Sequence, residues 1–391
     1  MAILMFAGAM VVAAGLMATG LLRRSPTISA TLGEEVTVFD YSAEACDRLD
    51  IPDTAARAFR DAQGLVQLLA SHHVTRRAIG PDLDHLARDC GVVMSSHGDP
   101  RPEQFNDREW IASLYTSDGM KVAALVHNEY QGHRHPGQCP SGSYRRCWYN
   151  SLTMATSEDG GRSFRHAEPP GHLVASLPSR YLPDRGPQGV FSASNIVGGK
   201  DGFYYTLVQL VSEDYGGGGC LMRTRDPFDA SSWRAWDGSA FRLQFIDPYR
   251  TQEAPDDFCH PVSRDQIATM RHSLTFNTYL DKFLLVGVAQ AWDGEKQREV
   301  PGIYYSTSDD LISWSNRELL MEAELPWTHE CGDGAPVNYP SLLDPNSQSR
   351  NFDVSSKSGY LYFTRLNYHD CQSQLDRDLV RVPLTFHKEG A

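Results

Sequence analysis

Residues 274–289 read LTFNTYLDKFLLVGVA, and residues 302–314 read GIYYSTSDDLISW. The first stretch has two runs rich in leucine, β-branched and aromatic residues on either side of the turn Leu280-Asp281-Lys282, which predicts a β-hairpin. The second stretch is a further strand that runs into a polar turn containing Asp310 and then into Ser313 and Trp314. An Asp side chain can cap the backbone N–H groups of such a turn, while the aromatic side chain packs between neighbouring sheets.

The same order of elements recurs along the chain. Four other hairpins are predicted, at residues 55–70, 110–127, 191–210 and 339–366. Two other third strands run into comparable turns, at residues 157–164 and 224–233. The repeat period is roughly 55 to 82 residues, which suits four-stranded blades with loops of variable length.

These units predict an all-β chain with a single five-bladed β-propeller over residues 31–391. The early strand at residues 35–39 has no partner in its own unit, so we expect it to complete the last blade and close the ring, which removes free sheet edges. The alternative is a β-sandwich with insertions. A sandwich does not explain why strand, turn, strand, strand and Asp-containing turn recur in that order.

The composition excludes some classes of protein. The chain has 391 residues, with 49 Asp and Glu against 36 Lys and Arg, so its net charge is −13. This balance argues against a nucleic-acid binder, which needs cations to displace phosphate counterions. Hydrophobic residues make up 41% of the chain, enough for a large core, so a disordered chain is also excluded.

The N-terminus has the composition of a targeting segment. Residues 2–22 carry no charge and are long enough to span a bilayer. Residues 1–30 are therefore predicted to be a signal peptide or an uncleaved N-terminal membrane anchor, with a misassigned start codon as a third reading. Arg23 and Arg24 follow the apolar run, whereas a signal peptide carries its basic residues before it. The expected location is periplasmic, extracellular or membrane-anchored.

The cysteines favour export. The eight are dispersed and none forms a CxxC pair, so a zinc ribbon or a thioredoxin-like site has no support. An even, dispersed set in an exported chain predicts disulfides, although the connectivity cannot be read from the sequence. Cys139 and Cys147 form the best local pair, and eight free or buried thiols are the alternative.

Three segments resemble known propeller enzymes. Residues 157–164, SEDGGRSF, resemble the Asp-box of sialidase-type propellers, which is structural in that family. Residues 304–314 resemble the blade ending of five-bladed glycosidases, and residues 202–206, GFYYT, resemble a strand of the same enzymes. The chain therefore resembles five-bladed β-propeller glycoside hydrolases of the arabinanase, xylosidase and invertase type over nearly its whole length.

The resemblance implies catalysis by acidic residues at the central channel. One stands at the entry to the first blade, where this chain has Asp53, the implied base. The general acid is a Glu just before the strand of a middle blade, and this chain departs from that pattern because Gln188 stands there. Sialidase-type enzymes need three arginines instead, for which Arg57, Arg60 and Arg365 are the candidates.

A second carboxylate comes from the densest polar stretch of the chain. Residues 127–135, HNEYQGHRH, follow an apolar strand, so a rigid element holds their side chains. Glu129 is the predicted general acid, tuned by His127 or Arg134, with a solvated polar loop as the alternative. Five residues are predicted to bind the glycan at the same channel mouth: Arg57, His72, His127, Asn195 and His272. Three tryptophans are candidates for stacking on sugar rings or for core packing: Trp110, Trp148 and Trp292.

Metal binding has weaker support. His72, His127, His133 and His135 include one His-x-His pair on a glycine-containing loop, which is weak evidence for a transition metal. No cofactor is expected. A Ca²⁺ ion in the channel fits the acidic balance, but no EF-hand-like spacing is present.

Two functions follow from this pattern. The first is an exported glycoside hydrolase-like protein that cleaves a glycan with the paired carboxylates Asp53 and Glu129. The second is a non-catalytic propeller that binds a carbohydrate or a protein. Two carboxylates from different blades that face each other across the channel favour hydrolysis.

Overall fold

The protein is described by a computed structural model. It describes residues 27–70, 72–214, 216–251, 258–369 and 371–389. Within these ranges no helix is long and apolar enough to cross a membrane. The apolar segment at residues 2–22 lies outside them, so its predicted targeting role stays a prediction.

The described chain is nearly all β-structure. The two α-helices have four residues each, α1 (Tyr41–Glu44) and α2 (Arg264–Ile267). Single 3₁₀ turns lie at Pro102–Gln104, Gly132–Arg134, Arg145–Cys147 and Ala230–Ser232. The described strands form four hydrogen-bonded sheets, and we divide the 11-stranded sheet into two, which gives five mainly antiparallel groups.

Two N-terminal strands precede the first group. They are β1 (Thr27–Leu32) and β2 (Val36–Phe39). The first group is a four-stranded meander of β3 (Arg57–Arg60), β4 (Val66–Leu69), β5 (Val74–Gly80) and β6 (Ala87–Ser95).

The second and third groups share one hydrogen-bonded sheet. The second comprises β7 (Arg108–Tyr115), β8 (Val122–Gln131), β9 (Trp148–Ser157), β10 (Arg165–His166) and β11 (Leu173–Ala175). The third comprises β12 (Gln188–Ala193), β13 (Val197–Gly198), β14 (Tyr204–Ser212), β15 (Gly216–Thr224), β16 (Arg234–Trp236) and β17 (Phe241–Leu243). A short parallel pairing of Gln188 and Gly189 with Tyr149 and Asn150 joins them.

A short strand connects the last two groups. The fourth comprises β18 (Ser273–Asn277), β19 (Lys282–Asp293), β20 (Arg298–Ser308) and β21 (Glu318–Glu322). The fifth begins with β22 (Val337–Leu343), after which β23 (Val354–Ser355) pairs in parallel with β18. It continues with β24 (Ser358–His369) and β25 (Gln372–Glu389).

The chain closes on its own N-terminus. Both β1 and β2 pair antiparallel with β25, so the early strand completes the last group as the sequence predicts. The pairing begins at Thr27, opposite Glu389. Residues 27–30, which the sequence boundary assigns to the targeting segment, therefore lie in a sheet. The pairing covers an edge that would otherwise expose unpaired backbone groups.

Apolar clusters fill the space between consecutive groups. One cluster packs Phe59 and Leu69 of the first group against Ile111 and Val126 of the second, with Phe164 among them. Other clusters join the second to the third group, the third to the fourth, the fourth to the fifth and the fifth to the first. Each group thus buries apolar surface on both faces. This packing fixes the position of each group relative to its neighbours.

The Asp-containing turns have the capping role predicted from the sequence. Asp159 Oδ1 accepts hydrogen bonds from the backbone N–H groups of Arg162 and Ser163 at 3.0 and 2.9 Å. Gly161 has a φ of +80°, and a Cβ there would lie 2.6 Å from the Phe59 ring. Asp310 accepts in the same way from the N–H groups two and three residues later.

We expect Asp159→Ala to lower the free energy of unfolding by about 0.5–2 kcal/mol, as for loss of a helix cap. The turn loses an acceptor for two backbone N–H groups, but the cavity described below is untouched. Thermal unfolding followed by circular dichroism measures the change. Glu158→Ala is the matched control, since the Glu158 side chain is 72% exposed. An unchanged melting temperature in Asp159→Ala would contradict the capping role.

All eight cysteines are paired. The disulfides are Cys46–Cys90, Cys139–Cys147, Cys220–Cys259 and Cys331–Cys371. The local pair predicted from the sequence is confirmed. It closes the loop between β8 and β9, and this loop carries Tyr144 towards the cavity described next.

Candidate active site

A cavity of about 100 Å³ lies where the five groups converge. Each group contributes to its wall: Asp53 precedes β3, Trp110 lies on β7, Phe191 on β12, His272 precedes β18 and Tyr339 lies on β22. Residues far apart in sequence therefore line one cavity. This is the position that the sequence predicts for a channel mouth.

Arg57 links several groups of strands through hydrogen bonds at the cavity. Its guanidinium donates to the backbone carbonyls of Ala112, Ala193 and His272 at 2.8, 3.1 and 2.6 Å, and also to Ala56 at 3.3 Å. Burial lowers the pKa of Arg57 to about 9, so the group stays charged at neutral pH. These bonds join the first four groups and use most of the guanidinium donors.

We expect Arg57→Met to lower the free energy of unfolding by about 2–3 kcal/mol, because it leaves buried carbonyl oxygens without a donor. Urea unfolding followed by tryptophan fluorescence measures the loss. Arg165→Met, at an exposed arginine on β10, is the matched control. Equal stability of the two variants would show that Arg57 does not hold the strands together.

Hydrogen-bond donors surround the Asp53 carboxylate. Its Oδ1 pairs with Arg377 of β25 and accepts from the Tyr339 hydroxyl at 3.2 Å. Its Oδ2 lies 2.9 Å from His72 Nδ1 and accepts from Trp110 Nε1 at 3.1 Å. Burial alone would raise the pKa of Asp53, but the charge of Arg377 and the hydrogen bonds from His72 and Trp110 outweigh it and hold the pKa well below its usual range. Asp53 is therefore ionised at neutral pH.

Glu129 has a different environment. It lies near the end of β8, and its Oε1 lies 3.2 Å from His127 Nε2. Its Oε2 accepts from Gln131 Nε2 at 2.8 Å and from the Tyr144 hydroxyl at 3.4 Å. No Lys or Arg ion pair of Glu129 occurs within the described part of the chain. The cavity therefore holds one carboxylate fixed by a guanidinium and another held mainly by neutral donors.

The charges of both carboxylates affect the pKa values of two tyrosines. Burial, together with the charges of Glu129 and Asp53, raises the pKa of Tyr144. The same three effects raise the pKa of Tyr339. Tyr339 also has a φ of 55°, a left-handed conformation at a bulge in β22. Strained backbone of this kind is common at functional sites, and here it places a hydroxyl on Asp53.

One wall of the cavity is aromatic. Trp148 and Phe191 line it, and their rings meet edge to face at 5.2 Å. Tyr144 stacks on Trp148 at 4.9 Å. The Trp148 indole is also fixed by a hydrogen bond from Nε1 to Asn150 Oδ1 at 2.9 Å. Such a rigid apolar surface suits the C–H face of a sugar ring.

Two polar side chains of the cavity lining each have one atom without a protein partner. His272 Nδ1 and Arg271 Nε are buried and have no hydrogen-bond partner within the described residues. Burial, and the charges of Arg271 and Arg57, lower the pKa of His272 well below its usual range, so the ring is neutral at pH 7. A neutral imidazole has one donor and one acceptor nitrogen, and the Arg271 Nε–H is a donor. Both groups can therefore bond to a hydroxyl, and the N–H donors can also bond to a carboxylate oxygen.

The structure brings most of the predicted residues together. Asp53, Arg57, His127, Glu129 and His272 all line the cavity. His72 does not line the cavity itself but contacts two residues that do, Asp53 and Trp110. Asn195 is buried, with its side chain bonded to the backbone of Leu274, so it joins strands rather than facing the cavity.

The other candidates lie elsewhere or have structural partners. Gln188 is buried at the start of β12 and donates to the Arg185 carbonyl at 2.5 Å. Trp292 is 62% exposed and lies outside the cavity. Arg60 donates to the Ser349 carbonyl and Arg365 pairs with Glu35, so neither joins Arg57 around a carboxylate.

Sequence reasoning missed Arg377 and Tyr144. Arg377 stands in an alternating charged run, LDRD at residues 375–378, which resembles an exposed strand. Only the closing of the fifth group next to the first brings it to Asp53. Tyr144 lies in a polar loop, and the predicted Cys139–Cys147 disulfide was the available signal that this loop is held in place.

Comparisons with known proteins show similarity of fold. No family model matches the chain, and no curated protein matches it in sequence. A protein of unknown function from Dyadobacter fermentans DSM 18053 is similar over 92% of this chain and 99% of its own, with a TM-score of 0.50 and 10% identity.

Two named enzymes are also similar. The alpha-L-arabinanase of Cellvibrio cellulosa matches 84% of this chain and 91% of its own, with a TM-score of 0.48 and 10% identity. The sucrose-6-phosphate hydrolase of Lactobacillus gasseri matches 96% of this chain and 63% of its own, with a TM-score of 0.47 and 13% identity. Both enzymes are glycoside hydrolases of the types that the sequence pattern resembles, and the similarity concerns the fold alone. At these identities no catalytic residue is transferred from either enzyme.

Proposed function

We propose that the protein is an exported glycoside hydrolase built as a single five-bladed β-propeller. Its five antiparallel groups would be the blades, and the pairing of β1 and β2 with β25 would close the ring. Apolar clusters between consecutive groups, including the fifth and the first, support a closed ring.

The observation that carries the catalytic proposal is the pair of carboxylates on one cavity, in contrasting environments. Glycoside hydrolysis needs a proton donor to the leaving oxygen and a second carboxylate that acts as base or nucleophile. Asp53 is ionised and fixed, which suits the second role. Glu129 lacks a guanidinium partner and borders the aromatic wall, which suits the proton donor.

The remaining groups would bind the glycan. The Trp148 and Phe191 wall would stack on a sugar ring, while His272 and Arg271 would bond its oxygens. Arg271 has no carboxylate partner within the described residues, so a sugar with a carboxylate substituent would gain an ion pair there. Arg57 would act through the fold, because its donors already bond to backbone carbonyls.

A binding protein without catalysis is the second candidate, and one observation favours it. Four donors occupy the two oxygens of Asp53, so activating a water requires at least one of them to be displaced. A carboxylate held in this way can instead fix the shape of a binding pocket.

A turnover assay separates the two candidates. The full chain is offered a panel of neutral and uronic aryl glycosides and natural glycans, and product release is followed with time. The hydrolase proposal expects turnover of at least one class. Saturable binding of a glycan, with no turnover of that glycan, would favour the binding protein.

Export rests on the disulfides. Four disulfides are typical of an oxidising compartment. Together with the apolar segment at residues 2–22 they support a periplasmic, extracellular or membrane-anchored protein. Recovery of the chain from cytoplasmic extract with free thiols would contradict export. A bound Ca²⁺ ion stays a prediction, tested by whether Ca²⁺, and not Zn²⁺, restores turnover after EDTA treatment.

A further inference from the structure

Three side chains outside the cavity form a compact cluster. Glu109 lies on β7, His97 follows β6 and His166 lies on β10. Glu109 is next to Trp110, and neighbouring residues of a strand point to opposite faces of the sheet. None of the three residues lines the proposed active-site cavity, so the cluster is a separate feature, and we infer that it binds a zinc ion.

The donor atoms are already close to the spacing that zinc requires. His166 Nδ1 lies 2.8 Å from Glu109 Oε1, and His97 Nδ1 lies 3.3 Å from Glu109 Oε2. Ligands bound at about 2.0–2.1 Å to a tetrahedral zinc are about 3.3 Å apart. One ligand atom from each of the three side chains lies within 4.8 Å of the others. Small side-chain adjustments therefore admit the ion.

The histidine partners also suit a metal. His166 Nε2 lies 3.4 Å from the Ser95 carbonyl, so an N–H there leaves the Nδ1 lone pair directed at Glu109. Histidines that bind metals commonly donate their other N–H to a carbonyl in this way. A lone pair and a buried carboxylate oxygen repel unless a proton or a metal cation stands between them, and zinc would take the place of that proton. The Glu109 side chain is 1% exposed, so solvent does not relieve the repulsion.

A second observation points to a ligand. The cluster borders a cavity of about 290 Å³, also lined by Thr153 and His172. Thr153 and His172 are 2% and 5% exposed, and Thr153 Oγ1 and His172 Nδ1 have no hydrogen-bond partner within the described residues. Three protein ligands leave one tetrahedral position open, and a water there would face these groups.

The types of ligand atom in the cluster favour zinc over calcium. Two imidazoles and one carboxylate suit zinc, whereas Ca²⁺ takes six to eight oxygen ligands. The ligands come from the first and second groups of strands, so the ion would join two neighbouring groups. This inference does not depend on the proposed hydrolase activity.

Zinc binding to the full chain is measured by calorimetry after treatment with EDTA, and thermal unfolding is measured with and without zinc. We expect one equivalent to bind and the melting temperature to rise. Glu109→Gln and His97→Ala should each weaken binding at least tenfold and remove the thermal shift. The His97 side chain is 52% exposed, so its replacement leaves the fold intact.

His85→Ala is the matched control, because His85 is an exposed histidine paired with Asp82. It should bind zinc as the parent does. Absence of zinc binding by the parent would overturn the inference. Parental affinity in His97→Ala would also overturn it, because the ion would then lie elsewhere.

Discussion

We expect Glu129→Gln to lower kcat by about 10²–10⁴-fold on glycosides with poor leaving groups, the range typical of removing a general acid. Glutamine has the shape of glutamate and keeps an acceptor for Gln131 or Tyr144, so the cavity persists while the transferable proton is lost. Glycosides with strongly acidic phenol leaving groups need little protonation and should lose much less. The measurement is kcat for both substrate types.

Glu213→Gln is the matched control for this change. Glu213 lies after β14 with its side chain 72% exposed, so its replacement should leave kcat unchanged. An equal loss on both substrate types in Glu129→Gln would show that residue 129 does not protonate the leaving group.

Asp53→Asn is expected to lower kcat by about 10³-fold and also to destabilise the fold. It removes the second carboxylate that glycoside cleavage requires. It also leaves the buried guanidinium of Arg377 without a counterion, and breaking such a pair costs about 3–5 kcal/mol. Comparison of kcat and urea unfolding separates the two effects.

The double variant Asp53→Asn, Arg377→Met supplies the control, since it removes both charges. Its stability should recover towards that of the parent while its activity stays low. Recovery of activity together with stability would show that Asp53 only holds the fold.

The pH dependence of stability provides an independent check on Asp53. Its folded pKa is depressed, so its stabilising contribution is present above the unfolded value of about 3.9 and is lost as pH falls towards the lower folded value. The parent should therefore lose stability below about pH 4 more steeply than Asp53→Asn. An acid limb of activity between pH 4 and 7 would have to come from another group.

Residues that act within a short stretch of sequence made much of the fold predictable. The turn Ser157–Phe164 and its counterpart before Trp314 carry their own capping groups, so the strands before them could be placed from sequence. The pairing of β2 with β25 followed from the need to cover an edge. The boundary at residue 30 was less predictable, because β1 begins within a segment that the apolar N-terminus dominates.

The candidate site was only partly predictable, because its members meet through closure of the whole chain. Asp53 and Glu129 stand beside strand ends, which a strand pattern reveals. Arg377 reaches Asp53 across 324 positions, and no local pattern encodes that contact. Asn195 looked like a ligand because a polar residue on an inner strand can face either the cavity or a neighbouring strand.

A structure of Glu129→Gln with an uncleaved glycan tests the central claim most directly. We expect the glycosidic oxygen within about 3.2 Å of the residue 129 amide, the reach of a general acid. The sugar ring should stack on Trp148, with Asp53 on the far side of the scissile bond. A glycan bound elsewhere, or a scissile oxygen in this cavity with no contact to residue 129, would contradict the assignment.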